Sequence, residues 1–250
     1  MQNQLLTITS YNIHKGMSAF NRRVQVNCLA QALKQLDSSI LFLQEVQGLN
    51  LKKIKKIREF PKEPQDEIIA RFLDYYNSYG KNAIFKTRHH GNAILSAMPI
   101  VTKKNINLST NTLERRGMLH CQIQPPGWPR PVECFCAHLN LTQQERKKQY
   151  MAILNYFKQF VDPESPVILA GDFNDWNRKS HFSLEEINLA EAFLTYQGFS
   201  PKTFPARLPL LSLDRIFVRH LKVVDAFIHT QGPWSKLSDH LPITAKLLPI

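Results

Sequence analysis

The sequence predicts an α/β (α+β) protein in which two sheets pack face to face with helices outside. Strand-like and helix-like runs alternate over all 250 residues, with no long low-complexity stretch and no short-period repeat. Some runs, such as ILFL at 40–43 and VILA at 167–170, are apolar without polar alternation, the pattern of strands buried on both faces. Eleven strand-like runs against a few amphipathic stretches favour two sheets, and the even alternation suggests one continuous domain, residues 1–250.

Taken in order, residues 5–13 open as a strand. Residues 22–36 carry apolar side chains at helical spacing and read as a helix. A buried strand is expected at 40–46, an irregular basic segment at 51–64 and a short helix at 66–75. Strands follow near 82–86, 93–97, 101–108, 118–124 and 132–141. Thr142 with Glu145 three residues later is a capping box, so an amphipathic helix starts there and runs to about residue 161. A strand at 167–170, a helix near 184–196 and a Pro-rich loop through Pro209 come next. Strands at 213–218, 223–228 and 243–247 complete the chain.

The composition, 43% hydrophobic and 21% charged, is that of a soluble globular protein. No run approaches the roughly 18 apolar residues of a membrane span, and the first twelve residues lack the basic start of a signal peptide. The expectation is a cytoplasmic protein, treated as a monomer. Its four cysteines are too sparse for a disulfide scaffold and read as reduced, mostly buried small hydrophobes. Cys134 and Cys136 share one face of a strand, where a bridge would be strained, and no second Cys/His pair supports a metal site. The net charge of +12 implies attraction to polyanions: nucleic acid, anionic lipid headgroups or phosphorylated small molecules.

The chemistry shows in where polar residues meet strand ends. TITSYN ends in Asn12, ILFLQE in Glu45 and PVILAGDFN in Asp172 and Asn174; CFCAHLN carries His138 and Asn140, LLSLDRIFV embeds Asp214, and LSDHLPI places Asp239 and His240 before the last strand. If those ends converge, four carboxylates meet in one cleft, which is costly unless their pKa values rise or a cation neutralises them. Carboxylate and amide oxygens are the hard ligands of Mg²⁺ or Mn²⁺, with Glu45 the leading ligand, then Asp239 and Asn12. The period of two between Asp172 and Asn174 points both side chains one way, so Asp172 can take a proton from water while Asn174 donates to a phosphate oxygen. His138 and His240 add groups that ordinarily titrate near neutrality. A single Asp at a strand end is more often a turn former; joint occurrence at six strand ends favours function. His89 and His90 read instead as loop residues beside a Gly91-Asn92 turn.

These residues sit in motifs. YNIHKG, FLQEV, GNAILS, ERRGML, HLNL, GDFNDW, LDRIFV and SDHLPI, in this order over almost the whole chain, resemble the series of the endonuclease/exonuclease/phosphatase superfamily with its DNase I-like fold, and within it the bacterial YbhP-like branch. The resemblance implies a four-layer αββα sandwich of mainly antiparallel sheets with the cleft at one edge. It implies Mg²⁺ at Asn12 and Glu45 with Asp239 nearby, Asp172 as base or water-orienting carboxylate, Asn174 as phosphate donor, Asp214 orienting His240 against the scissile phosphate, and His138 completing a histidine pair. The implied reaction is in-line attack of water on a phosphoester. His14 stands where abasic-site endonucleases usually carry an acid, and those enzymes lack a histidine at the place of His138. Ser212-Leu213 replaces the Trp-Cys flank of inositol polyphosphate 5-phosphatases, and sphingomyelinase-like members are usually secreted.

For substrate contacts, Arg22-Arg23 and Arg115-Arg116 are guanidinium forks that match phosphate, Arg116 being preferred because it lies inside a matched motif. Asn140 joins it, and Trp176 with Phe173 can stack on a base or pack the cleft wall. KKIKKIR at 52–58 reads first as a solvated basic face, and otherwise as a short amphipathic helix suited equally to a nucleic-acid backbone or an anionic membrane. The leading expectation is a DNase I-like nuclease acting on nucleic acid. The alternative is a phosphatase or phospholipase-like hydrolase of lipid headgroups or small phosphoesters. A binding module that has lost catalysis is disfavoured, because none of the eight principal residues is missing.

Overall fold

The computed structural model describes residues 5–18, 23–177 and 181–250, for 181–183 the backbone alone. Its elements in chain order are β1 (Leu6–Asn12), α1 (Val26–Lys34), β2 (Ile40–Asn50), α2 (Leu51–Lys56), α3 (Gln65–Leu73), β3 (Tyr76–Phe85), β4 (Arg88–Ser96), β5 (Ile100–Asn107), β6 (Gly117–Ile123), β7 (Val132–His138), α4 (Gln143–Phe160), β8 (Val167–Asp172), β9 (Ala190–Glu191), α5 (Ala192–Gln197), β10 (Asp214–Arg219), β11 (Leu221–Ile228), α6 (Trp234–Leu237) and β12 (Ile243–Pro249). One sheet has the order β11-β12-β1-β2-β4-β3 and the other β5-β6-β7-β8-β10-β9. Each contains one parallel pair, β1 with β2 and β7 with β8, and is otherwise antiparallel.

Period-two alternation explains the layers. Ile8, Ile40, Phe42, Cys134, Cys136, Ile168, Ala170, Ile216 and Ala245 face inward into one apolar interface between the sheets. The alternate residues of the first sheet, Tyr11, Leu41 and Leu43, pack outward on α1 and α3, while Phe135, Leu169 and Phe217 of the second pack on α4. The result is the αββα order, with central strands covered on both faces and therefore rich in apolar runs such as ILFL of β2 and VILA of β8.

Several expectations shift. β2 continues to Asn50 past an irregularity after Leu43, and Glu45 there adopts a left-handed backbone (φ 54°). The segment at 51–64 begins as α2, because the Asn50 side chain caps it by accepting from the Lys53 N–H at 3.1 Å. The helix expected near 184–196 is broken: a 3₁₀ segment ends at Ile187, left-handed Asn188 turns the chain, and β9 intervenes before α5. α6 was not anticipated. His89 and His90 lie in β4, where they pair across to Leu49 and Gln47, so the loop reading is wrong; both neighbours in the sheet supply ladder partners that a turn would lack. Thr142 caps α4, its Oγ1 accepting from the Glu145 N–H and donating to the Glu145 carboxylate at 2.7 Å. α1 begins at Val26, and Arg22 lies outside the described residues. Cys121, Cys134 and Cys136 are buried free thiols; Cys28 is exposed.

Gly171 is required where the last turn of β8 delivers Asp172. Its φ is +153°, and a Cβ there would stand 1.9 Å from the Ala137 carbonyl oxygen on β7. Gly171→Ala therefore forces the parallel β7–β8 pair apart. The expected loss is about 3 kcal/mol from backbone strain and overpacking, read as a lower urea midpoint with an unchanged slope.

Candidate active site

Inward-facing positions become polar at one end of the sandwich. On β1 the inner series Leu6, Ile8, Ser10 ends in Asn12; on β7 Cys134 and Cys136 lead to His138; on β8 Ile168 and Ala170 lead to Asp172; β10, running the other way, starts at Asp214. Strand register then makes neighbours of them, since Asp172 lies opposite both His138 and Asp214. His240, from the segment before β12, reaches across from the first sheet.

Asp172 is the centre of this group. Its Oδ2 accepts from Asn12 Nδ2 at 3.0 Å and lies 3.4 Å from His138 Nε2 and 3.7 Å from His240 Nε2, while its Oδ1 accepts from the Asn174 N–H at 3.1 Å. Burial raises its pKa above the usual carboxylate value, the Asp214 charge adds to this, and His240 and Asn12 work in the opposite direction.

The two histidines are driven apart. Burial pulls His240 down, but Asp214, whose Oδ2 is 2.8 Å from His240 Nδ1, and Asp172 outweigh it and raise it to about 10. His138 is held well below its ordinary value by burial and by Arg116. Arg116 Nη1 is 3.1 Å from His138 Nδ1, and a guanidinium can only donate, so Nδ1 is the acceptor and Nε2–H faces Asp172. His240 is thus an imidazolium and His138 a neutral imidazole. Both are moved away from the near-neutral expectation, His138 down by burial and Arg116, and His240 up by the carboxylates that outweigh its burial.

Glu45 and Asp239 stand nearer solvent and are met by cations. Lys15 Nζ is 2.7 Å from Glu45 Oε2, and His14 Nδ1 is 3.2 Å from Asp239 Oδ1. Burial opposes ionisation of both acids, but Lys15 outweighs it at Glu45, and His14 with His240 outweighs it at Asp239, so both lie below the usual range. Lys15 is positioned deliberately by local structure. It has a left-handed backbone (φ 57°), and Gln65, in accepting from the Gln47 N–H at 3.0 Å and donating to the Lys15 carbonyl at 2.8 Å, ties its turn to β2.

These donors fit a hard divalent cation. Glu45 and Asp239 offer carboxylate oxygens and Asn12 an amide oxygen, and the buried Glu45 Oε2 is balanced by an ammonium that a metal ion can replace. The tightest group of possible ligands among the described residues is different: Asp172, Asp214 and His240. There His240 Nδ1 is already engaged by Asp214 Oδ2 at 2.8 Å.

The loop bearing Asp172 and Asn174 is clamped from beneath by two buried arginines. Arg215 donates to the Asp175 carbonyl, Glu191 and Ser200, each at 2.8 Å. Arg146 lies 3.4 Å from the Asp175 carboxylate and donates to the Leu141 carbonyl. The period-of-two expectation for Asn174 fails because β8 ends at Asp172 and Asn174 is left-handed (φ 50°); one of its amide hydrogens goes to the Leu139 carbonyl. Asn140 is fully buried, giving its amide to Thr110 and its oxygen to Gln149, so it faces the scaffold and not a substrate. Phe173 is core, stacked on Tyr150. Trp176 is 46% exposed above the Arg146 guanidinium, leaving one ring face open. Sequence reasoning assigned no role to Lys15 or His90. Lys15 lies inside YNIHKG, and His90, a cleft neighbour of Glu45 and Lys15, follows from the strand assignment of β4.

A model of the Endonuclease/Exonuclease/phosphatase family matches residues 9–240. The uncharacterized protein YbhP of Escherichia coli K12 is 35% identical over 241 residues, which cover 96% of this chain and 95% of that one. Among solved structures, an endonuclease/exonuclease/phosphatase from Beutenbergia cavernae superimposes with a TM-score of 0.84 at 20% identity, covering 98% of this chain and 72% of that one. D. rerio TDP2 complexed with single strand DNA product does so with a TM-score of 0.68 at 18% identity, covering 98% and 99%. At those identities the two structures speak for the fold alone.

In metal-free protein, ¹⁵N NMR of the imidazoles is expected to show His240 protonated well past neutrality. In Asp214→Asn its midpoint should fall, because Asp172 and Asp239 alone then oppose burial. Since the folded pKa exceeds the unfolded one, the stability contributed by the pair is complete below the unfolded value and fades as pH rises toward 10. The unfolding difference between wild type and Asp214→Asn should be about 3 kcal/mol near pH 6 and shrink near pH 9.

Proposed function

The chain belongs to the endonuclease/exonuclease/phosphatase family, whose members are as a class metal-dependent phosphoester hydrolases, and on that footing we propose that it is a Mg²⁺-dependent phosphodiesterase acting on nucleic acid, with Mn²⁺ able to substitute. The observation that carries the reading is the charge order around Asp172: an imidazolium on one side, a neutral imidazole backed by Arg116 on the other. Such a site holds a phosphate between His240 and Arg116 and leaves one base.

That base is Asp172. His240 has no free lone pair, and the lone pair of His138 is occupied by Arg116. Burial raises the affinity of Asp172 for a proton, as a general base needs. In the proposed step, water attacks phosphorus in line with the leaving oxygen; the new O–P bond forms, the ester O–P bond breaks, and the water proton passes to Asp172 Oδ2. His240 Nε2–H and the second Asn174 amide hydrogen donate to the equatorial oxygens, whose charge grows in the transition state. Asp214 keeps His240 protonated and oriented. Asn12, Glu45 and Asp239 would hold the metal ion, which when bound offsets charge on the phosphate and leaving oxygens.

Nucleic acid is favoured as substrate by the +12 charge and by the shared fold of a protein solved with a single-stranded DNA product. A second reading, hydrolysis at an anionic lipid surface, has one specific support: Leu51, Ile84 and Phe85 are 43–51% exposed among the lysines of α2 and the β3–β4 hairpin.

With Mg²⁺, the protein is expected to cleave plasmid DNA, single-stranded DNA or RNA, and to stop on chelation. Glu45→Ala and His240→Ala should each lose about 10²–10³-fold; activity surviving both would refute the assignment. Turnover of phosphoinositides without polynucleotides would establish the second reading. Lys15→Met removes the ammonium that competes for Glu45, so calorimetry of substrate-free protein should show Mg²⁺ binding about tenfold tighter, ~1.4 kcal/mol.

A further inference from the structure

Beside the catalytic cleft lies a groove of about 340 Å³ whose lining includes Lys81, Asn82, Asn105, Asn111, Arg115 and Arg116. It forms where the two sheets end against one another, since β3 is the edge of the first sheet and β5 the edge of the second. Asn105 joins the edges by donating to the Lys81 carbonyl at 3.0 Å and to Asn82 Oδ1 at 3.1 Å. Gly80 and Gly117 make this possible, because a Cβ at either would stand 2.4 or 2.2 Å from the oxygens of Asn105 and Asn82.

The wall of the groove is preorganised. Asn111 Oδ1 accepts from the N–H groups of Leu113 and Glu114 at 2.8 and 2.7 Å, and its amide donates to Glu145 at the start of α4. Ser109 Oγ accepts from the Arg116 N–H at 3.0 Å. The loop presenting Arg115 and Arg116 is thus closed on itself and fastened to a helix. Arg116 belongs to both places, reaching His138 in the catalytic cleft while lining the groove. Among the described residues no carboxylate comes within ion-pair distance of Lys81 or Arg115; Arg115 gives one hydrogen bond, to the Ile84 carbonyl at 3.2 Å.

We propose that this groove is a backbone subsite for a nucleic-acid strand: Lys81 and Arg115 hold a phosphate flanking the scissile one, which Arg116 meets at the catalytic end. The inference rests on the phosphodiesterase reading and deepens it. Two uncompensated cations among carboxamides suit a phosphate with a hydroxylated sugar. A lipid would need an apolar lining, and Ile84 is the one large apolar side chain there.

The test is fluorescence anisotropy with labelled single-stranded oligonucleotides of about 4–16 nucleotides, in chelator so that nothing is cleaved. The Lys81→Ala/Arg115→Ala variant is compared with wild type and with Lys55→Ala/Lys56→Ala, an equal charge loss on α2, with thermal melts to verify folding. The groove variant should bind about tenfold more weakly, and its log K against log salt slope should flatten by about 1. The α2 variant should lie near wild type. Equal weakening in both variants, no oligonucleotide binding by wild type, or a groove effect seen only with phosphoinositide vesicles would each overturn the proposal. The two readings separate when Mg²⁺ is added. Groove-dependent binding without cleavage would leave the subsite and remove the nuclease, whereas cleavage with unchanged KM in the groove variant would remove the subsite and leave the nuclease.

Discussion

The contact on which the rest of this structure depends is the 2.8 Å pair between Asp214 and His240, because it crosses from one sheet to the other between two buried side chains. Apolar burial between the sheets is strong but non-directional, and Ile, Phe and Ala faces tolerate sliding. A buried carboxylate does not. Left without His240 it would be costly to keep ionised, so the pair fixes how β10 sits against the segment entering β12. Asn12 donating to Asp172 repeats the device between β1 and β8, and Asn92 donating to the Gly117 and Cys136 carbonyls repeats it between β4 and the β6–β7 pair. The seam is oily in the middle and keyed by hydrogen bonds at the catalytic end.

Keying has a consequence for chemistry. The bonds that align the sheets also set the protonation states, since Asp214 that locates His240 also keeps it charged, and Arg116 that borders the groove also blocks His138 Nδ1. Asp172 is the carboxylate that faces both imidazoles at once. The network cannot be trimmed piecemeal: removing one partner strands another buried polar group. Beneath it, Arg215 and Arg146 fasten the turn after Asp172 through the Asp175 carbonyl and carboxylate.

Much of this is legible in the sequence because a strand has a period of two. Ile168, Ala170, Asp172 and Cys134, Cys136, His138 announce both the buried face and the place where it turns polar. Such runs suggest two packed sheets and mark strand ends at Asn12, His138, Asp172 and Asp214 that could converge, while the motif series implies the αββα sandwich and adds Glu45, Asp239 and His240. What does not follow depends on contacts distant in sequence or on backbone states that no period encodes. Left-handed Glu45 and Lys15 face each other only because Gln65, from α3, ties their segments together. Asn140 has the polarity of a ligand, yet Gln149 and Thr110 consume it. The histidines read as near-neutral because an imidazole in isolation is so; neighbours on other strands drive one up and the other down.

On the proposed reading the floor of the cleft meets a phosphate, so discrimination among phosphoesters has to come from what surrounds it. Here the surroundings are made by the sheet edges. An edge strand must be blunted against pairing with another chain, and charged or amide side chains do so. β5 carries Lys103 and Lys104 on an exposed stretch, and Asn105 closes it onto β3. Asn105 also lines the adjoining groove, whose cations are Lys81, Arg115 and Arg116. Asn105 thus serves both the closed edge and the proposed backbone subsite, which shares Arg116 with the cleft at His138.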